Sequence, residues 1–461
     1  MRIVIIGAGE VGYFLAKGLS SEAKDVIVID RDEARLAAIQ EHLDVQTVLG
    51  DGSSLHTLQR AGADRADILI AVTDSDEGNM MACVVSRVYF QIDQVIARIR
   101  NTDFTAEPIL QKLSIDLAIS PEKEAAETIL KLLRIPNATE VIDFEDGKVW
   151  LVGYQIDQSS PLLNQPLKDL SALREASVLI AAIVRNERLQ IPKGDDMVQP
   201  GDAVYAVAPQ HSLDNLKQFF ACNIPDTQRV MIIGGSMIGE YLARHLESQQ
   251  VDVKLIEPSL SRCHHLSEVL HYTVVLNGDP TQIDLLLEEN MDDMDVCIAV
   301  SDDEQTNILV SLLARRLGVR RTICSVSKSE FIPIANSIGI DAVISPRLSA
   351  ASAMLSCVRQ GGVLSVGTLR DNEAEAMEII AQATSKIVNR PIYQLHFPKG
   401  ALIAAIIRGR QIIIPQGQDM IVPGDRVIIF ALSKAIRQVE KALQVEARRV
   451  GRRGTGQINK T

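Results

Sequence analysis

Residues 3–12 read IVIIGAGEVG, an apolar run that leads into three spaced glycines, Gly7, Gly9 and Gly12. This pattern predicts a buried strand, a tight turn and the first turn of a helix. The first glycine allows the turn, the second lets the backbone approach a pyrophosphate, and the third lets the helix pack closely on the sheet. Free N–H groups at the helix N-terminus would face the phosphates. The stretch therefore predicts a nucleotide-binding Rossmann-type domain.

The same motif returns in the second half of the chain, as IIGGSMIG at residues 232–239. Further pairs of matching segments follow in the same order: 28–30 with 255–257, 50–51 with 278–279, 71–74 with 299–302, 119–121 with 344–346, and 191–202 with 414–425. Because so many matches in a fixed order do not arise by chance, the sequence predicts a tandem duplication.

Each half begins with apolar runs separated by helical patterns and then changes to short strands joined by tight turns. Apolar runs without polar alternation indicate a parallel sheet that is covered on both faces. The predicted fold class is α/β, with two Rossmann-type doubly wound parallel-sheet domains, each followed by a small α+β lobe. We expect five parts: Rossmann domain 1 (1–134), lobe 1 (140–225), Rossmann domain 2 (229–358), lobe 2 (366–447) and a basic tail (448–461). Linkers are expected around residues 136–138, 223–226 and 361–362.

Polar residues follow the predicted strands of the first half, at the sheet edge where doubly wound folds bind ligands. Asp30 stands about 20 residues beyond the glycines, where a carboxylate accepts the adenosine ribose hydroxyls and repels a 2'-phosphate. We therefore expect a preference for NAD over NADP, slightly weakened by the neighbouring Arg31. The other candidates at strand ends are Asp51, Thr73, Asp74, Arg98 and Arg100. Either arginine could neutralise a phosphate or form an ion pair with a neighbouring carboxylate, and the sequence leaves both roles open.

The second copy of the motif is altered. Ser236 replaces the middle glycine, whereas Glu257 keeps a carboxylate for a ribose. Counting back from the second ISP motif places Ile323 and Ser325 at the positions of the two arginines. We expect the two sites to differ in affinity or in preferred ligand.

Composition and motifs exclude several classes of function. The net charge of -12 and the 4% of aromatic residues disfavour binding to nucleic acid. The apolar runs are too short to span a bilayer and the start of the chain lacks the pattern of a secretory leader, so we expect a cytoplasmic location. The cysteines form no CxxC pair and the histidines fall in no recognisable catalytic string, so we expect no metal site and no catalytic residue. Two nucleotide folds without a shared catalytic residue favour a sensor over an enzyme.

These segments together resemble the RCK family, also called KTN, in the tandem form found in Trk-type potassium uptake systems. The segments that carry the resemblance are MRIVIIGAGEVG, VIVID, LGDGS, AVTDSDEGN and IARIRN in the first half, and IIGGSMIG, AVSDDEQTN and the two PGD-containing lobes beyond it. The resemblance covers essentially the whole chain. It implies a regulatory subunit that binds NAD(H) or ATP/ADP, forms a dimer or a tetrameric ring, and gates a membrane potassium-translocating subunit of the TrkH or TrkG kind. The subunit would lie on the cytoplasmic face of the inner membrane.

The resemblance also implies two sets of ligand residues. In the first site they are Gly7, Ala8, Gly9, Glu10, Val11, Asp30, Thr73, Asp74 and Arg98. In the second site they are Gly234, Gly235, Ser236, Met237, Ile238, Glu257, Ser301 and Asp302. Two alternatives remain: an NAD-dependent oxidoreductase that uses the lobes as substrate domains, and a nucleotide sensor without a membrane partner.

Overall fold

The computed structural model describes most of the chain, namely residues 1–21, 24–158, 160–220, 227–358, 363–369 and 373–443. The expected basic tail at 448–461 and the expected linkers at 223–226 and 361–362 lie outside these residues. The chain divides into two compact units, residues 1–355 and residues 356–461. No helix within the described ranges is long and apolar enough to cross a membrane.

The first part of the first unit is a six-stranded parallel sheet, as the sequence predicts, with strand order β3-β2-β1-β4-β5-β6. Its strands are β1 (Arg2–Ile6), β2 (Asp25–Asp30), β3 (Gln46–Leu49), β4 (Ile68–Ala71), β5 (Gln94–Arg98) and β6 (Leu117–Ile119). Its helices are α1 (Glu10–Ser21), α2 (Glu33–His42), α3 (Leu55–Arg60), α4 (Asp76–Val88), α5 (Glu107–Leu113) and α6 (Pro121–Arg134). Strand order reverses between β1 and β4, which places the carboxyl ends of these strands at the ligand crevice of a doubly wound sheet.

A small antiparallel lobe follows, with strand order β10-β9-β11-β8-β7. Its elements are β7 (Ala138–Phe144), β8 (Val149–Gln155), α7 (Ser171–Glu175), β9 (Leu179–Arg185), β10 (Arg188–Gln190), β11 (Ala203–Pro209) and α8 (Leu213–Phe220). Sequence reasoning missed β7 and expected a linker that included Ala138, which is instead the first residue of this strand. Polar residues at Thr139, Glu140 and Asp143 break the apolar run that a buried strand would show.

The second parallel sheet repeats the first, with strand order β14-β13-β12-β15-β16-β17, and confirms the predicted duplication of the fold. Its strands are β12 (Arg229–Ile233), β13 (Asp252–Glu257), β14 (Val274–Asn277), β15 (Val296–Ala299), β16 (Arg321–Ser325) and β17 (Ala342–Ile344). Its helices are α9 (Met237–Ser248), α10 (Leu260–Val269), α11 (Ile283–Glu288), α12 (Glu304–Leu317), α13 (Phe331–Ser337) and α14 (Pro346–Val358).

The second unit contains an antiparallel sheet with strand order β18-β19-β22-β20-β21. Its elements are β18 (Val363–Leu369), β19 (Ala374–Ile380), β20 (Ala401–Arg408), β21 (Gln411–Ile413), β22 (Arg426–Leu432) and α15 (Ile436–Leu443). Both lobes share an ion pair at the PGD turn. Asp202 accepts two hydrogen bonds from Arg185, at 2.8 and 2.7 Å, and Asp425 accepts two from Arg408, at 2.9 and 2.8 Å. The repeated aspartate of this motif therefore stabilises a turn within each lobe.

Within the first unit, each Rossmann domain packs a helix on the other. Tyr241 of α9 donates a short hydrogen bond to Glu127 of α6. Gly18 of α1 lies so near Leu355 of α14 that an added Cβ would stand 3.2 Å from a Leu355 methyl carbon. The buried Arg321 of β16 donates to backbone carbonyls at the end of α6 and beyond it, including that of Leu132 at 2.7 Å. The two Rossmann domains are thus held together by helices that pack against each other across the contact and by the buried guanidinium of Arg321.

Candidate functional site

The glycine-rich turn between β1 and α1 is shaped by close backbone approach. Gly7 has a φ of +111°, and an added Cβ there would lie 3.0 Å from the Val72 carbonyl oxygen. An added Cβ at Gly12 would lie 1.8 Å from the Gly7 carbonyl oxygen, which no side chain can accommodate. At Gly9, in contrast, an added Cβ would meet only the guanidinium of Arg35, at 3.9 Å. The space beside Gly9 is therefore open, as a pyrophosphate at this turn requires.

Asp30 joins the end of β2 to this turn. One of its carboxylate oxygens accepts the backbone N–H of Ala8 at 2.5 Å, and the other accepts the N–H of Asp32 at 2.8 Å. A carboxylate oxygen can accept more than one hydrogen bond, so both remain able to accept ribose hydroxyls. The structure thus brings together the glycine motif and the acidic residue that the sequence paired with it.

Asp51 lies after the neighbouring strand β3 and pairs with Arg31. The Arg31 guanidinium stands 2.7 Å from an Asp51 oxygen, and Ser53 donates its backbone N–H and its hydroxyl to the other oxygen. The backbone N–H of Ser53, followed by its hydroxyl and by Arg31, holds the pKa of Asp51 below its ordinary value. Arg31, which could favour a 2'-phosphate, is thereby neutralised by a neighbouring carboxylate.

The ends of β4 and β5 carry the cationic part of the site. Arg98 donates to a carboxylate oxygen of Asp74 at 2.9 Å and to the Thr73 carbonyl at 3.1 Å, and Arg100 donates to the same Asp74 oxygen at 3.1 Å. This is the ion-pair alternative that the sequence left open. The hydrogen bond from Arg98 is the main cause that holds the pKa of Asp74 below its ordinary value.

Arg98 retains an unmet donor. Its side chain is buried, and its Nε has no hydrogen-bond partner among the described residues. A buried donor without an acceptor is costly, so an added acceptor such as a water molecule or an anion would stabilise this group. The open space beside Gly9 fits a nucleotide with phosphates at the turn.

Asn79 organises this region and was not singled out from the sequence. It is fully buried on α4, its Oδ1 accepts the N–H and the hydroxyl of Thr73, and its Nδ2 donates to the carbonyls of Thr73 and Arg98. Asn307 makes the same bonds to Ser301 and Ser325 in the second half. The equal spacing of the two asparagines in AVTDSDEGN and AVSDDEQTN was the signal that could have identified them.

The second glycine turn is built differently from the first. The Ser236 hydroxyl donates to the Val300 carbonyl at 2.6 Å and accepts the N–H of Gly239 at 3.3 Å, and so caps α9. Glu257 accepts the N–H of Gly235 at 2.7 Å, as Asp30 does with Ala8. The serine hydroxyl is therefore directed at protein backbone, and the acidic residue keeps its place.

The structure corrects the expected counterparts of the two arginines. The hydrogen bonds of Asn79 and Asn307 align Arg98 with Ser325, so the counterpart of Arg100 is Ser327. The prediction of Ile323 and Ser325 was wrong, because the loop between β16 and β17 is shorter than the one between β5 and β6. The expectation that the second site has no arginine at these positions still holds.

A different arginine lies at the second turn. Arg262 donates from Nε to the Gly235 carbonyl and from Nη2 to Glu240, both at 2.6 Å.

The other residues expected in the second site differ in exposure. Ile238 is buried in the core, whereas Met237 and Asp302 are exposed. In the first site Val11 is likewise buried. Side chains of Val11 and Ile238 therefore support the turn from inside.

Nothing in the described part of the chain suggests a metal centre, since no group of three or more His, Cys, Asp or Glu side chains there could hold an ion. The buried thiol of Cys83 has its pKa raised by burial, as expected of a core cysteine.

Comparison with known proteins gives a consistent relationship over nearly the whole chain. The TrkA-N domain family matches residues 3–121 and 230–346, and the TrkA-C domain family matches residues 151–221 and 376–444. The Trk system potassium uptake protein TrkA of Halomonas elongata is 38% identical over 453 residues, covering 96% of this chain and 99% of that protein. TrkA homolog 1 of Methanosarcina mazei is 36% identical over 450 residues, with the same coverage.

Solved structures show the same fold at lower identity. The crystal structure of the GsuK RCK domain has a TM-score of 0.59 and 19% identity, and covers 96% of this chain and 95% of that chain. The GsuK channel bound to NAD has a TM-score of 0.58 and 18% identity, and covers 96% of this chain and 79% of that chain.

Proposed function

This chain belongs to the TrkA family, with two TrkA-N and two TrkA-C domains, and from that premise we propose that it is the nucleotide-binding regulatory subunit of a potassium uptake system. The observation that carries the proposal is the first glycine turn, where the space beside Gly9 is open and the Asp30 carboxylate accepts the backbone N–H of Ala8. The Arg98 guanidinium adds positive charge beyond the adjacent strand β4, where it binds the Thr73 carbonyl. The ligand at the turn is NAD(H) or ATP/ADP, held by adenosine ribose contacts to Asp30 and phosphate contacts to the turn.

Regulation in this proposal is differential binding. A nucleotide bridges the glycine turn and the ends of β4 and β5, and it shifts the protein toward whichever arrangement of domains binds it more tightly. A difference of about 1 to 3 kcal/mol between two ligands suffices for such control. No chemical change of the nucleotide is needed.

The partner in this proposal is a membrane potassium-translocating subunit of the TrkH or TrkG kind. The names of the relatives, which describe potassium uptake, support this assignment. The chain would act as a homo-oligomer, a dimer or a tetrameric ring, at the cytoplasmic face of the membrane. Nucleotide occupancy would then open or close the pathway for potassium.

The test is calorimetric titration of ATP, ADP, NAD and NADH into the purified full-length protein and into Asp30→Ala. We expect tight binding of at least one nucleotide to the wild type, and its loss in Asp30→Ala, because the ribose hydroxyls lose their acceptor. Glu257→Ala is the matched control, since it removes the corresponding carboxylate of the second turn. Unchanged binding in Asp30→Ala, or steady consumption of NADH by the protein alone, would contradict the proposal.

A further inference from the structure

One arginine of the second Rossmann domain lies at the glycine turn of the first. Arg347 stands near the start of α14, and its Nη1 is 3.1 Å from a carboxylate oxygen of Glu10. Glu10 is the first residue of α1, at the helix end that faces the crevice. Both side chains are partly exposed, at 41% and 35%. The contact therefore joins the two domains at a place that a ligand can reach.

The charge of Arg347 also acts on the end of β4. It contributes to lowering the pKa of Asp74, after the contributions of Arg98 and Arg100. The charges of three guanidinium groups, two from the first domain and one from the second, therefore act on the Asp74 carboxylate at the edge of the first site. Among the described residues these guanidinium groups pair with the carboxylates of Asp74, Glu122 and Glu10, which an incoming phosphate would displace or share.

The second site lacks this arrangement. In the repeat, Glu122 occupies the position of Arg347, since ISPE in the first half matches ISPR in the second. The position of Glu10 holds Met237, which is 43% exposed. The ion pair is thus specific to the first site and is not a general part of the fold.

Glu10 occupies a position that favours anions. The N-terminus of α1 has free N–H groups and a positive end of the helix dipole, and a phosphate bound there would be repelled by the Glu10 carboxylate. Arg347 compensates this negative charge. A guanidinium binds phosphate with two parallel hydrogen bonds. Arg347 can therefore release the Glu10 carboxylate and bind an incoming phosphate in its place without a large movement.

We propose that Arg347 is a specificity-determining residue that the second Rossmann domain contributes to the first site, where it binds the terminal phosphate of a nucleoside triphosphate. The inference rests on the proposed nucleotide site at the first turn. A triphosphate ends in a highly charged group that is free to meet Arg347. The pyrophosphate of a dinucleotide is flanked by nucleosides on both sides and carries less charge, so it depends less on this residue.

The assignment gives the two nucleotide classes different effects on the protein. ATP would be held by both Rossmann domains, whereas NAD would be held by the first alone. By linkage, a ligand that contacts both domains stabilises the arrangement in which they meet.

The experiment titrates ATP and NAD into full-length wild type, Arg347→Gln and Arg347→Lys. We expect Arg347→Gln to weaken ATP binding about tenfold, because a paired, charged contact to the phosphate is lost at a partly exposed position, and to leave the NAD affinity unchanged. Arg347→Lys, which keeps the charge but not the paired donors, should give an intermediate ATP affinity. The control is Arg320→Gln, which removes a charge of the same domain that pairs with Asp295 at 3.2 Å. Arg320→Gln should change neither the ATP affinity nor the NAD affinity.

Equal losses of ATP affinity and NAD affinity in Arg347→Gln would show that Arg347 has a merely structural role and would overturn the inference. An unchanged ATP affinity would overturn it as well. If Asp30→Ala abolishes binding while Arg347→Gln behaves like Arg320→Gln, the nucleotide site stands and only the role of Arg347 fails. If Asp30→Ala also binds normally, the nucleotide site itself is refuted and the role of Arg347 with it.

Discussion

Replacing the buried Asn79 by alanine should destabilise the first Rossmann domain and weaken its nucleotide site together. The side chain is fully buried and makes four hydrogen bonds, at 2.9 and 2.6 Å to Thr73 donors and at 3.0 and 2.9 Å to the carbonyls of Thr73 and Arg98. It ties the end of β4 to the end of β5. Alanine removes all four bonds and leaves the backbone groups without these partners.

The expected magnitude follows from this count. A hydrogen bond contributes about 1 kcal/mol net, so the full set corresponds to about 4 kcal/mol. Water that enters the vacated space restores part of the loss, and we expect about 2 to 4 kcal/mol. Because Asp74 and Arg98 lose their fixed positions, nucleotide affinity at the first site should fall roughly tenfold or more.

Urea unfolding monitored by circular dichroism measures the first effect, with separate transitions allowed for separate domains. Calorimetry in a Glu257→Ala background measures the second, because the second site is then disabled. Asn307→Ala is the matched control, since Asn307 makes the same four bonds in the second domain. It should cost similar stability and leave binding at the first site intact.

Two results would refute this reasoning. A destabilisation by Asn79→Ala of less than about 1 kcal/mol would mean that the four bonds are replaced by water at no cost. An equal loss of first-site binding in Asn307→Ala would mean that the effect spreads through the whole protein and does not act through β4 and β5.

Gly9→Ala should fold with wild-type stability but lose nucleotide binding, because its Cβ would enter the open space beside the turn that the pyrophosphate needs. Gly12→Ala should unfold the turn, because its Cβ would lie 1.8 Å from the Gly7 carbonyl oxygen. Thermal unfolding and calorimetry of both variants check this, and normal binding by Gly9→Ala would contradict it. Burial, followed by the hydrogen bond to Glu127, raises the pKa of Tyr241 to about 12, so the stabilising contribution of this hydroxyl is complete below pH 10 and is lost between pH 10 and 12. The stability difference between wild type and Tyr241→Phe should therefore shrink over that range, and a constant difference in urea titrations would count against the assignment.

Much of the geometry of the first candidate site was predictable because its parts are local in the sequence. Gly7, Gly9 and Gly12 lie in one turn, and Asp30 ends the next strand, so a short motif fixes their relation. The repeat then extended the prediction to Ser236 and Glu257. Asn79 was missed although its motif recurs, because a buried polar side chain between two strand ends cannot be distinguished by sequence from a solvated helix residue.

The alignment of the second half shows where counting residues fails. Ile323 was assigned from a motif beyond a loop, and a shorter loop shifted the register by two positions. Hydrogen bonds, and not spacing, identified Ser325 as the counterpart of Arg98.

The sequence by itself determined that this chain contains two nucleotide-type α/β folds in series, because hydrophobic periodicity and glycine spacing act over a few turns of chain. Only the tertiary structure decided which side chains meet across domains. Arg347 reaches Glu10, and Arg321 reaches the end of α6, through contacts between residues that are far apart in sequence. Such contacts depend on how the helices pack against each other, and no local pattern of residues encodes that geometry.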